Sequence, residues 1–413
     1  MSNKKKFWIG VSLFNLFIVA FLGFVLRSKI LFSLPIINYK NLLSAHSHFA
    51  FGGWAALALV TLLVYDLLLV GDKKIYQWAL WGIQLTSLGM VVTFPFTGYA
   101  LLSIIFSTLH IFSLYVFGFA FIRDARKKIP EKSTRLLAIS SVISLVISSI
   151  GPFGLAFMMA TGRGNANFHR DFIYTFLHFQ YNGFFILAAL SLFINRLLPL
   201  RADLTPLIRK LATTLSLSIL PTLFLSLLWH NQPVFYVIAI IGCALVVFGL
   251  FYFSKLFFET WKTPLFKSGL ARSFFILSFL SLALKMLLQI GPIFPYLGNA
   301  VYGDRPLIIG FLHLVFLGFL TFYLLSSFIE EGFFTLRGKT IAWPFYLFGL
   351  GIVVNEALLM LQGLGILFFY NTSLYNWLLW INSIILFVGS GMIASAALIN
   401  SKHRATPYPY LPV

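Results

Sequence analysis

Twelve apolar runs, each long enough to cross a lipid bilayer, constrain this chain more than any other feature. A helical crossing needs roughly 20 predominantly apolar residues. The runs lie at about 7–26, 42–70, 75–96, 99–122, 134–160, 171–195, 206–230, 233–254, 270–291, 306–329, 342–366 and 374–399. We therefore predict an all-α polytopic membrane protein, a bundle of about twelve transmembrane helices forming one domain over 1–413. Composition supports this, since the 413 residues are 60% hydrophobic and only 10% charged. A soluble domain carries roughly 25% charged residues.

The net charge of +19 raises the question of a nucleic-acid partner. Its distribution argues against one, because the basic residues form no groove or arm. With the N-terminus inside, 23 of the 30 Lys and Arg fall on inner segments, including the cluster Arg123, Arg126, Lys127, Lys128, Lys132 and Arg135. Six fall on outer segments, and Lys285 lies within the ninth run. This bias follows the positive-inside rule, with both termini cytoplasmic in a bacterial-type inner (plasma) membrane. Lys4–Lys6 followed by an apolar run has the charge layout of a signal peptide, but the run is long and no small-residue cleavage site follows, so it reads as a retained helix. Cys243 is the single cysteine, which leaves no disulfide framework, no thiolate metal site and no covalent haem attachment motif.

Six histidines sit in or at the end of these runs, all in the outer half: His46, His48, His110, His178, His230 and His313. Imidazole is costly in hydrocarbon and needs a partner or a function there. One such histidine reads as a hydrogen-bonded bridge between helices. A whole layer reads as a set of ligands for haem or copper, for which neutral imidazole is the commonest donor. On this reading His46, His48 and His313 are candidate haem ligands, and His178, His230 and His110 candidate metal ligands.

His46 and His48 belong to His46-Ser47-His48-Phe49-Ala50-Phe51-Gly52-Gly53-Trp54. Residues two apart on a helix point about 200° from each other, so the pair cannot serve one metal together; one faces a cofactor, the other a second site. Gly52-Gly53 fits either a close helix contact or room for a porphyrin face. The sixth run carries Leu177-His178-Phe179-Gln180-Tyr181-Asn182-Gly183, with His178 and Tyr181 sharing a face. Lys285 and Glu356 are intramembrane charges that suit a proton relay, a substrate contact or a structural pair. Asp66 near the inner end of the second run reads as snorkelling. His169 and His403 lie in polar segments and read as solvated.

Twelve spans with both ends inside, and histidines in spans two, six, seven and ten near the outer face, resemble subunit I of the haem–copper oxidase superfamily. The His46-x-His48 motif leading into Phe and Gly is most similar to the NnrS-like branch. The resemblance implies a subunit I-like bundle, with His46 or His48 and His313 holding a b-type haem, and His178 and His230 as copper ligands. It departs from the pattern in three places. Span ten has one histidine where the oxidases have two, His230 is followed by Asn231, and Tyr181 lies three rather than four residues after His178. His110 has no counterpart; it completes a metal site or replaces a missing one. These departures argue against full dioxygen reduction. They favour a haem protein that reacts with a small diatomic gas such as nitric oxide, or relays electrons from a donor cytochrome. A proton- or ion-coupled secondary transporter is the alternative, resting on Lys285 and Glu356, and a cofactor-free relative of the oxidase fold is a further one.

Overall fold

The computed structural model describes residues 1–261, 263–303, 305–334, 339–368 and 372–402. His403, Lys262, Arg337 and Arg404 lie outside them. Every regular element among the described residues is helical, and twelve are long and apolar enough to cross a membrane. Spans one to six are Asn3–Leu31, Tyr39–Leu67, Lys74–Thr97, Leu101–Lys128, Lys132–Thr161 and Ala166–Leu197. Spans seven to twelve are Ala202–His230, Pro233–Trp261, Gly269–Ile293, Arg305–Glu330, Ala342–Leu367 and Leu374–Leu398. The all-α polytopic fold expected from the runs is therefore observed, one helix per run.

Most helices extend a few residues past their apolar runs because polar side chains take up the first amides. The Ser2, Asn38, Glu131 and Asn165 side chains accept from the first turns of spans one, two, five and six. Such caps satisfy donors that no helix can satisfy internally. Spans three and four are joined by a tight turn at Gly98, whose φ of +60° suits a residue without Cβ.

Spans two and six are the most enclosed, and with span ten they form the centre of the bundle. Three rings, one from each, meet there. Phe51 and Phe316 have ring centroids 4.3 Å apart, and Phe185 lies 5.8 Å from Phe51 and 5.0 Å from Phe316.

These three spans share a local device. Each runs as an α-helix to a histidine and then widens to π-helical winding, over Phe49–Ala56 after His48, Phe179–Phe185 after His178 and Leu314–Thr321 after His313. Such insertions are rare and concentrate at functional sites. The sequences match position by position. Phe51, Tyr181 and Phe316 stand three residues after the histidine, Gly53, Gly183 and Gly318 five after it, and Trp54, Phe184 and Phe319 six after it. The preceding span packs a polar side chain on each glycine. Asn15 Nδ2 donates to the Gly53 carbonyl at 2.6 Å, and a Cβ on Gly183 would sit 2.2 Å from Ser144 Cβ. A Cβ on Gly318 would sit 2.9 Å from Ser281 Oγ. The chain is thus a threefold repeat of four spans.

Charged side chains gather at the end of the bundle remote from the histidines. Lys5 bridges Asp66 and Glu331, tying spans one, two and ten. Asp66 is therefore paired rather than simply snorkelling. Arg196 reaches Glu330 at 3.3 Å, and Lys73 reaches Asp124 at 2.8 Å.

Candidate functional site

The histidine layer resolves into distinct environments. His46 turns toward span one, where its Nδ1 lies 3.1 Å from the Val19 carbonyl. Gly23 makes room for it, since a Cβ there would stand 3.3 Å from His46 Cε1. His313, at the point where span ten widens, has its Nδ1 2.8 Å from the Ile309 carbonyl one turn back. The two imidazoles, from spans two and ten, lie within electrostatic range of each other and of Arg27. A carbonyl at Nδ1 takes the N–H of a neutral ring and leaves Nε2 as the basic nitrogen. Neither Nε2 has a hydrogen-bond partner among the described residues. Both rings are only half-buried although enclosed by helices, so they border a gap.

His48 points the other way, as its two-residue offset from His46 requires. Its ring stacks on Phe94 at 4.6 Å and meets the edge of Tyr99 at 6.0 Å, with Nδ1 2.8 Å from the Ser44 carbonyl. It lies within electrostatic range of His110 on span four. His110 Nδ1 accepts from the Thr86 hydroxyl at 3.0 Å, and its ring edge fills the space beside Gly52. A Cβ on Gly52 would come within 2.6 Å of His110 Cε1. Gly52 therefore serves a close helix contact.

His178 is fully occupied. Its Nε2 donates to the Ile219 carbonyl at 2.7 Å, and its Nδ1 accepts from Asn182 Nδ2 at 3.0 Å. Asn182 Oδ1 in turn accepts from Lys285, which also donates to Gln289 Oε1 at 2.6 Å. The ammonium lies over the Tyr181 and Phe311 rings, 5.7 and 5.9 Å from their centroids. These groups border a cavity of about 640 Å³ among spans six, seven, nine, ten and eleven, also lined by Glu356. Glu356 Oε1 accepts from Asn355 Nδ2 at 3.1 Å. His230 sits at the rim, bonded through Nε2 to Asp171 at 2.9 Å.

Among the described residues, no three His, Cys, Asp or Glu side chains gather to hold a metal ion. His178, His230 and His110 are not brought together. His230 pairs with Asp171, seven residues from His178 and so about 10 Å away along span six, and His110 belongs with His48. Tyr181 stands edge-on to His178 at 6.4 Å. The structure does bring His46 to His313, and it gathers Tyr181, Lys285 and Glu356 around one cavity. The residues that position these groups, Asn182, Gln289, Thr86 and Arg27, had no candidate role in the sequence reading. The repeated His-to-Gly spacing was the signal for the three central helices. No protein-family model matches the chain, and no curated protein matches it.

Proposed function

We propose that this membrane protein holds one b-type haem between spans two and ten, with His46 and His313 as axial ligands, and that it acts in redox chemistry as an electron relay. One observation carries the reading. Two imidazoles from separate helices approach each other, each fixed through Nδ1 to a main-chain carbonyl and each with its Nε2 left to ligate. That is the arrangement in which an outer partner sets the tautomer and raises ligand basicity. When bound, haem supplies one-electron chemistry.

The chain's own residues hold and orient it. The Val19 and Ile309 carbonyls keep the two rings from rotating. Arg27 offers a cation for the haem carboxylates. Two permanent imidazole ligands leave no open iron position, which favours electron relay over binding of nitric oxide or dioxygen. Copper finds no three-ligand group among the described residues, and no step is assigned to it. The charge bias places the basic end and both termini at the cytoplasmic face of a bacterial-type plasma membrane, leaving the histidine end accessible to a donor cytochrome.

The test is spectroscopic. Protein purified from haem-sufficient cells should show a Soret band and one haem b per chain by pyridine haemochrome. His46→Ala and His313→Ala should each abolish the six-coordinate low-spin spectrum, whereas His48→Ala and His110→Ala should keep it. A colourless protein would refute the proposal and favour the ion-coupled transporter. An unchanged spectrum in both ligand variants would refute the assignment of the ligands.

A further inference from the structure

We infer that the cavity among spans six, seven, nine, ten and eleven is a binding site for a bilayer-soluble quinone or quinol. Its size, about 640 Å³, lies within the roughly 300–1,000 Å³ of small-molecule pockets. The lining is overwhelmingly apolar. The short helix Pro295–Gly303 lies at the histidine end, and its Leu297 closes the cavity there. Toward the bilayer the site is open. Leu287 and Leu288 on span nine, and Met360 and Leu364 on span eleven, both line the cavity and are 40–55% exposed. A ligand therefore reaches it sideways, from hydrocarbon.

The polar groups define the head. On one wall Gln289 gives its oxygen to Lys285, which leaves the Gln289 Nε2 hydrogens without an acceptor among the described residues. The Lys285 side chain, 2% exposed, is held by two amide oxygens and faces no carboxylate among the described residues. That wall donates. Span eleven contributes the Glu356 carboxyl, whose one hydrogen bond among the described residues comes from a neutral amide. That wall accepts. A lipid acyl chain would leave both walls unsatisfied, at several kcal/mol per buried polar group. A fatty acid would oppose its carboxylate to Glu356. A ring with an oxygen at each end, one accepting and the other a hydroxyl that donates, satisfies both, and its isoprenoid tail leaves between spans nine and eleven.

The inference goes beyond the haem reading and does not require it. Span ten connects the two sites, because Leu312 and Leu314 line the cavity while His313 between them pairs with His46.

The probe is a decyl-substituted benzoquinone added to the full chain in phosphatidylcholine nanodiscs. Retained quinone is quantified after rapid separation, and the absorption spectrum of each sample is recorded. We expect saturable binding of one probe per chain, weakened about tenfold in Glu356→Gln and in Gln289→Leu. Leu364→Trp, at the lipid-facing mouth, should abolish binding while leaving the unfolding midpoint and any haem spectrum unchanged. Retention no greater than in protein-free nanodiscs, or equal retention in all variants, would overturn the inference. So would recovery of phospholipid from the site in place of quinone. Loss of haem without loss of probe binding would overturn the haem reading alone.

Discussion

Replacing Asn182 with leucine should be among the most damaging single changes away from the haem ligands, and Lys285→Met should largely cure it. Asn182 receives the Lys285 ammonium and donates to His178 Nδ1. Both neighbours are buried, at 2% and 1% exposure. Stranding a neutral buried acceptor costs about 1–3 kcal/mol. Breaking one partner from a buried charge costs about 3–5 kcal/mol, reduced here because Gln289 still holds Lys285. Asn182→Leu should therefore lose about 3–5 kcal/mol in all. Lys285→Met removes the charge and its desolvation together, so its net effect should stay within about 1 kcal/mol. In the double variant the His178 term alone remains, which implies a favourable coupling of about 2 kcal/mol or more. Detergent-micelle unfolding by SDS titration, followed by circular dichroism, measures all four corners of this cycle. A neutral interhelical hydrogen bond in a membrane protein couples by only about 0.6 kcal/mol. A coupling at or below that value, or a Lys285→Met loss equal to that of Asn182→Leu, would refute the claim that a buried ammonium holds these spans together.

Gly183→Ala should destabilise by about 1–3 kcal/mol in thermal melts, because its methyl would strike Ser144. Ser144→Gly should restore it, and Gly10→Ala, with open space around it, should cost nothing. Lys5→Met leaves Asp66 and Glu331 without their shared cation and should lower stability by several kcal/mol at neutral pH; adding Glu331→Gln should recover most of the loss. Glu131, between spans four and five, is subject to burial that raises its pKa, yet the Thr134 and Ser133 amides outweigh this and hold it below its ordinary value. Its contribution is thus present above the unfolded carboxyl pKa of about 4.3 and fades as pH falls through the folded one. Glu131→Ala should lower the melting temperature at pH 7 and have little further effect near pH 3.

Much of this was legible along the chain. Apolar run length identified all twelve helices, because a bilayer crossing is a local requirement. The opposed directions of His46 and His48 followed from helical pitch alone. The uses of the remaining histidines did not, because their partners come from distant sequence. His178 is saturated by a carbonyl at Ile219 and an amide tied to a lysine 103 residues further on. His230 is held by an aspartate on the neighbouring span, and a linear reading of histidines as ligands cannot see that their nitrogens are already spent. The threefold repeat went unnoticed because each copy rests on a histidine, a glycine and two aromatic rings, with unrelated apolar residues between.

The widened turns after His48, His178 and His313 also set the phase of the three central helices. Each π-helical stretch closes its bonds one residue later than an α-helix, so deleting one residue inside it would let α geometry run through. Everything beyond the deletion would then swing by about 100° about the helix axis. In span ten such a shortening would aim a different set of side chains at span two and a different set at the cavity, decoupling the two chambers that this helix divides.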